Sequence, residues 1–193
     1  MKQNITLLDG YKARIENLTN ADIANRNFKG LGARDFHPFD KEGEPYFNVR
    51  LTKESYDILS QDGWEVWTSP NKSDDPQASD RYGIQIKIDT NGFRKSRIIQ
   101  ASDKDGRGRR RGTEIDLDLN VLGELDRYVF GDAEVVIRPW THKSGKNAGL
   151  KMAYLDTMIF TLAKPDLTSE WSDIDMGDTS DFGDTEDEEV PFQ

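Results

Sequence analysis

Two clusters of cations, one of them interleaved with aromatic rings, are the residues of this chain best equipped for chemistry, and the chemistry they suit is the binding of phosphates and bases. Lys104-Asp-Gly-Arg107-Gly-Arg109-Arg110-Arg111-Gly places five cations and three glycines in nine residues. Guanidinium groups pair with phosphates bidentately, and glycine lets such a loop follow an irregular backbone. Arg94, Lys95 and Arg97 lie just upstream on the same hairpin and enlarge the patch. A solvated loop tip is the plainer reading, since cations and glycine are ordinary there. Clustering in an otherwise neutral body favours phosphate.

The second cluster runs Arg138-Pro-Trp140-Thr-His-Lys143-Ser-Gly-Lys146 and continues to Lys151 and Tyr154. On an extended strand Val135 and Ile137 face one side, while Val136, Arg138 and Trp140 face the other. A ring beside cations is what an unpaired strand needs. Bases stack on the ring at about 1–3 kcal/mol each, whatever their identity, while the cations hold phosphates. Trp140 can equally cap a barrel core, and the residues leave both readings open. Tyr46 and Trp67 lie opposite the presumed core residues of their strands but are weaker candidates that suit a core better than a ligand contact, and Arg50 shares the face of Tyr46. Phe28, Phe36 and Phe39 accompany Arg26, Lys29 and Arg34, and suit a core better than a ligand contact. Trp64, Phe47 and Tyr82 are assigned to the core.

Catalytic signatures are poor, and no enzyme activity, metal or cofactor is expected. The only histidines, His37 and His142, are far apart and lack metal-ligand spacing. Gly145-Lys146-Asn147 resembles the end of a phosphate-binding loop, but Asn replaces the needed Ser or Thr and Trp140 stands where glycine is required. Asp173-Ile-Asp175-Met-Gly177-Asp178 has its glycine one position early for a calcium loop and lacks the closing glutamate. Glu114, Asp116 and Asp118 would share one face of a strand, which solvated surface charge explains equally well.

Charge is segregated along the chain. The formal total is −10, yet residues 166–193 hold eleven of the 36 acids and none of the 26 bases. The preceding 165 residues therefore carry 25 acids against 26 bases. Low overall pI does not exclude nucleic acid, because a local basic face is what matters. The acidic segment cannot bury itself, so it is expected to be solvated and mobile. There is no cysteine, hence no disulfide or thiolate chemistry. No signal sequence and no apolar stretch of membrane-spanning length is seen, so a soluble, cytoplasmic protein without membrane contact is expected.

Short strands must position these clusters. Tyr46–Leu51 and Tyr82–Asp89 alternate cleanly, and Trp64–Thr68, Ser96–Ala101, Glu114–Leu119, Glu134–Thr141 and Leu150–Leu162 read as further strands. Asn25–Phe39 suits a curved strand or hairpin, and Tyr11–Leu18 is mixed. Thr52–Asp62 is the one strong helix, capped by Thr52 and stopped by Gly63, with a shorter helix at Val121–Arg127. The last two strands are joined by a basic hairpin. This pattern predicts a mainly β fold, an OB-fold-like antiparallel barrel with one or two short helices, over residues 1–165, followed by a flexible tail, 166–193. Strand, strand, strand, helix, strand, strand is the order expected of an OB-fold. An immunoglobulin-like sandwich competes, and the helix after Leu51 speaks against it.

The tail carries Asp181-Phe-Gly-Asp-Thr-Glu186-Asp187-Glu188-Glu189-Val190-Pro191-Phe192 before Gln193. An acidic run ending in Pro-Phe resembles the tails of single-stranded DNA-binding proteins of bacteria and their phages. The resemblance implies an OB-fold body that coats single strands, and a tail that recruits replication, recombination or repair proteins. It also implies that the tail competes with DNA for the body's own basic groove. In the bacterial family Phe is the final residue and its carboxylate takes part in docking; here Gln193 follows. Free sheet edges would allow a homodimer. A duplex DNA- or RNA-binding module, and a structural protein with a solubilising tail, are the alternatives.

Overall fold

The computed structural model describes residues 2–8, 11–33, 41–70, 79–102 and 112–163. The chain divides into two units, Met1–Ala163 and Lys164–Gln193; every described residue belongs to the first. Ten strands and two short α-helices follow in the order β1 (Asn4–Leu8), β2 (Lys12–Leu18), β3 (Ile23–Asn27), β4 (Tyr46–Leu51), α1 (Lys53–Gln61), β5 (Val66–Ser69), β6 (Arg81–Lys87), β7 (Arg97–Ala101), β8 (Gly112–Glu114), α2 (Leu119–Glu124), β9 (Phe130–Thr141) and β10 (Lys151–Leu162). A 3-10 turn, Leu125–Arg127, extends α2. The fold is mainly β, as the alternating segments predict.

One sheet path runs β1-β2-β9-β10-β6-β4-β3, with β5 on β6 and β7, itself paired to β8, on β10. A single buried cluster draws Ile15 from β2, Phe47 and Val49 from β4, Ile84 from β6, Ile98 from β7 and Val135 from β9. Strands far apart along the path share that core, so the sheet curls around its inner face. Phe28, Phe47 and Phe130 meet in its middle, with Phe28 stacked on Phe47 at 5.3 Å between ring centres. Burial of such rings is the chief source of stability here.

Helix α1 begins and ends as its caps dictate. Thr52 Oγ1 accepts the N–H of Ser55 at 3.2 Å, and Gly63 takes a left-handed φ of 83° just past the last turn. The sheet is mainly antiparallel, with β10 running parallel to both β6 and β7. Two expectations need correction. Among the described residues four strands precede α1, not three, because Asn4–Leu8 pairs with β2. Nor is Glu114–Leu119 a strand. Asp116 Oδ1 accepts the N–H of Asp118, and Asp118 Oδ1 accepts that of Asn120, so aspartate turns stop β8 at Glu114 and cap α2. The apolar alternation of Ile115 and Leu117 comes from a coil segment leaning on the core.

Arg26, met in the sequence as one cation of a basic segment, is a strut. It donates to the carbonyls of Ile23 at 3.1 Å and Tyr128 at 2.5 Å. It also reaches Asn20 Oδ1, and its guanidinium lies 4.4 Å from the centre of the Phe130 ring. Desolvation lowers its pKa against the opposing pull of Asp126. The strut ties β3 to the entry of β9.

Candidate nucleic-acid interface

Alternation puts Tyr46, Asn48 and Arg50 of β4 on the face opposite the core residues Phe47, Val49 and Leu51, with Asn48 buried there and Arg50 exposed. Register then extends that face across the sheet. Arg50 lies beside Gly83, Asn48 beside Gln85 and Tyr46 beside Lys87; Lys87 lies beside Tyr154, and Tyr154 beside Arg138. The result is a strip of alternating rings and cations on four adjacent strands. Outward positions recur about every 6.7 Å and strands about every 4.8 Å, so the strip spans about 13 Å along β4 and about 14 Å across to β9.

Trp67 stands at one end. It pairs with Gly83, and a Cβ built on Gly83 would come within 2.2 Å of its indole. The glycine is needed so that the ring can lie across the strand, an aromatic covering a gap in the sheet. Trp67 lines a groove of about 340 Å³ with Ala24, Asn25, Asn48, Arg50, Ser69 and Arg81. Arg50 and Arg81 are exposed and make no ion pair among the described residues. A groove with one ring, two guanidinium groups that have no ion-pair partner among the described residues, and two amides has the parts needed to stack a base and hold its phosphates.

At the other end, Arg138 sits 5.4 Å from the ring centre of Tyr154. Its side chain is only 11 % exposed and pairs with Asp89 at 3.0 Å. Trp140, one outward position further, is 48 % exposed, which puts it on the surface rather than over the core. It meets His142 edge-on at 5.2 Å. Glu65 holds this hairpin, accepting from Asn147 at 2.6 Å and lying 2.9 Å from His142 Nε2. Lys143 and Lys146 project from the hairpin exposed.

Several expected site cations have protein partners. Lys151 pairs with Asp62 at 2.9 Å and lies over Trp64. Arg97 pairs with Glu114 at 3.1 Å; that hydrogen bond raises the pKa of Arg97 and holds the Glu114 carboxyl below its ordinary range. Lys87, a cation outside the expected set, has a looser, exposed partner in Glu44 at 3.3 Å. Exposed pairs of this kind are worth little and exchange readily for phosphate. Arg94 donates to the Tyr11 hydroxyl at 3.3 Å, and Lys95 is exposed. Lys104, Arg107, Arg109, Arg110 and Arg111, and the tail residues Glu186–Phe192, lie outside the described residues, as do Phe36 and Phe39. Phe28, Phe47 and Trp64 are core, and Tyr82 is half-buried against it.

Arg81 and Lys87 were not singled out by sequence. The available signal was Arg81-Tyr-Gly-Ile-Gln-Ile-Lys87 itself, whose polar alternates must face away from Ile84 and Ile86. Among the described residues no group of three or more potential ligands could hold a metal ion, and no helix is long and apolar enough to cross a membrane.

No curated protein matches the chain. Among the solved structures that resemble it are three of the single-stranded DNA-binding protein of bacteriophage Enc34. The form in complex with single-stranded DNA has 11 % identity and a TM-score of 0.48, covering 85 % of this chain and 93 % of that one. A C-terminal truncation has 10 % identity and a TM-score of 0.45 over the same shares. The third has 10 % identity and a TM-score of 0.44, covering 90 % of this chain and 100 % of that one. At such distances the structural likenesses carry no assignment. A family model does: the one described as "Putative phage ssDNA-binding domain" matches residues 9–192. That match spans nearly the whole sequence, and the chain belongs to the phage single-stranded DNA-binding domain family.

Proposed function

We propose that this protein binds single-stranded DNA without regard to sequence and coats it during replication, recombination or repair, in the cytoplasm of the phage's host. The observation that carries the reading is the outer strip from Trp67 and Arg50 through Tyr46 and Lys87 to Tyr154. Its rings offer π-faces that accept any base, and cations stand between them to hold phosphates. The basic residues Lys104 to Arg111, with Arg94, Lys95, Lys143 and Lys146, supply further phosphate contacts. Arg97, Lys151 and Trp140 belong to its margin. The curled sheet serves as the OB-type platform. Exposed sheet edges leave room for a homodimer.

The acidic residues Glu186–Glu189 with Val190, Pro191 and Phe192 form, on this reading, the docking segment for a replication or recombination protein. Their charge is opposite to that of the groove, and tethering keeps their local concentration high, so they compete with DNA for it.

The test is binding of fluorescent oligo-dT by anisotropy, against a duplex of equal length, at two salt concentrations. Single strands should win, with affinity falling as salt rises at a log–log slope of about 0.7 per phosphate contact. Removal of residues 166–193 should tighten binding severalfold at low salt and little at high salt. Equal affinity for the duplex overturns the single-strand reading; unchanged affinity on truncation overturns competition by the tail.

A further inference from the structure

Strands β6 and β7 occupy the same edge of β10, one after the other. Lys87 lies beside Tyr154 and Arg97 beside Thr157, so ten residues of chain pass where β10 advances by three. The excess, residues 89–96, is extruded as a loop from what would otherwise be one edge strand. Its base is closed twice. The Ser96 N–H donates to the Asp89 carbonyl at 2.9 Å, and the Asp89 N–H donates to Ser96 Oγ at 2.9 Å. Buried Ser96 in turn donates to the Leu155 carbonyl at 2.8 Å.

The interior of the loop is built as firmly. Asp89 Oδ1 accepts the Gly92 N–H at 2.6 Å, and a Cβ on Gly92 would come within 2.2 Å of that carboxylate. Arg138 reaches in from β9 and donates to Asp89 Oδ2 at 3.0 Å and to the Arg94 carbonyl at 2.5 Å. Yet the residue this frame presents, Phe93, is wholly exposed. A ring that buries nothing adds nothing to folding, and a polar residue would serve the turn better. Arg94 and Lys95 flank it, both exposed. The root of the loop borders the strip, because Asp89, Thr90 and Asn91 line a groove of about 230 Å³ with Lys87 and Tyr154.

We infer that residues 89–96 are a braced finger that stacks Phe93 on a base of the bound strand, and that Arg138 is its positioning residue rather than a phosphate contact. The inference rests on the single-strand reading above and names a contact within it. The flanking cations select a polyanion, and the groove at the root leads the strand from Tyr154 to the fingertip. The Asp89–Arg138 pair holds the ring out, so stacking needs no ordering of the loop when DNA arrives.

The experiment compares the full chain with its Phe93→Ala, Phe93→Trp, Arg138→Gln and Phe93→Ala/Arg138→Gln variants, using oligo-dT anisotropy across salt and thermal melting. Phe93→Ala should bind at least about fivefold more weakly, the lower end of one lost stacking contact, with an unchanged salt slope and melting temperature. Phe93→Trp should restore binding. Arg138→Gln should weaken binding without lowering the salt slope, and the double variant should be no worse than the weaker single one. Wild-type affinity in Phe93→Ala, with the wild type still binding single strands, overturns the finger and leaves the single-strand reading intact. So does a Phe93→Ala effect confined to self-association by sedimentation. A salt slope lowered by Arg138→Gln overturns its positioning role. If the wild type itself fails to bind oligo-dT, the earlier reading has failed and the finger with it.

Discussion

Replacing Arg50 and Arg81 together with glutamate should weaken oligo-dT binding about a hundredfold at low salt. Each substitution removes one phosphate contact and adds a repelling carboxylate, and a tenfold loss per site corresponds to about 1.4 kcal/mol. Both guanidinium groups line the Trp67 groove. Neither has an ion-pair partner among the described residues, so their loss should leave the melting temperature unchanged. The salt slope should fall by about 1.4, the share of two phosphates at about 0.7 each. Anisotropy titrations at several salt concentrations read both quantities. Unchanged affinity and slope would remove this groove from the interface.

Arg26→Ala should have the reverse profile, costing stability and sparing the site. The alanine takes the side-chain donor from the Tyr128 carbonyl, leaves Asn20 Oδ1 with the Phe130 N–H alone, and strips the cation from the Phe130 ring. A buried acceptor left unsatisfied costs about 1–3 kcal/mol, and a partly desolvated cation–π contact adds about 1 kcal/mol. A total of about 3 kcal/mol should lower the melting temperature by about 6–12 °C in a domain of this size. Arg26→Lys should recover part of the loss, because an ammonium reaches fewer of the same acceptors. Thermal unfolding by circular dichroism reads the effect. Wild-type melting in Arg26→Ala would show that the strut contributes nothing.

Local signals were legible and long-range ones were not. The caps of α1 lie within the turn they close, so Thr52 and Gly63 could be assigned from spacing. Alternation placed Tyr46 and Arg50 opposite Phe47 and Val49, and Arg138 opposite Ile137, because a strand has only two faces. What spacing cannot supply is the partner of each charge. Arg138 and Asp89 are 49 residues apart, Lys151 and Asp62 are 89 apart, and Arg26 and Tyr128 are 102 apart. Cations that look alike in the sequence therefore divide into struts, such as Arg26 and Arg138, and groups with no ion-pair partner among the described residues, such as Arg50 and Arg81. Phe93 escaped notice for a related reason. Its neighbours Asn91, Gly92 and Arg94 mark an ordinary turn, and only the contacts of Asp89 and Arg138 reveal that the turn is braced.

Single-stranded DNA should lie along the outer strip of β4, β6 and β10. Backbone amide shifts of the labelled protein, followed by NMR as oligo-dT is added, test it most directly. Shifts should concentrate at Asn48, Arg50, Trp67, Gln85, Lys87, Phe93 and Tyr154, with β1 and α2 unmoved. Shifts concentrated on β1 or α2 instead, with the strip silent under saturating DNA, would contradict it.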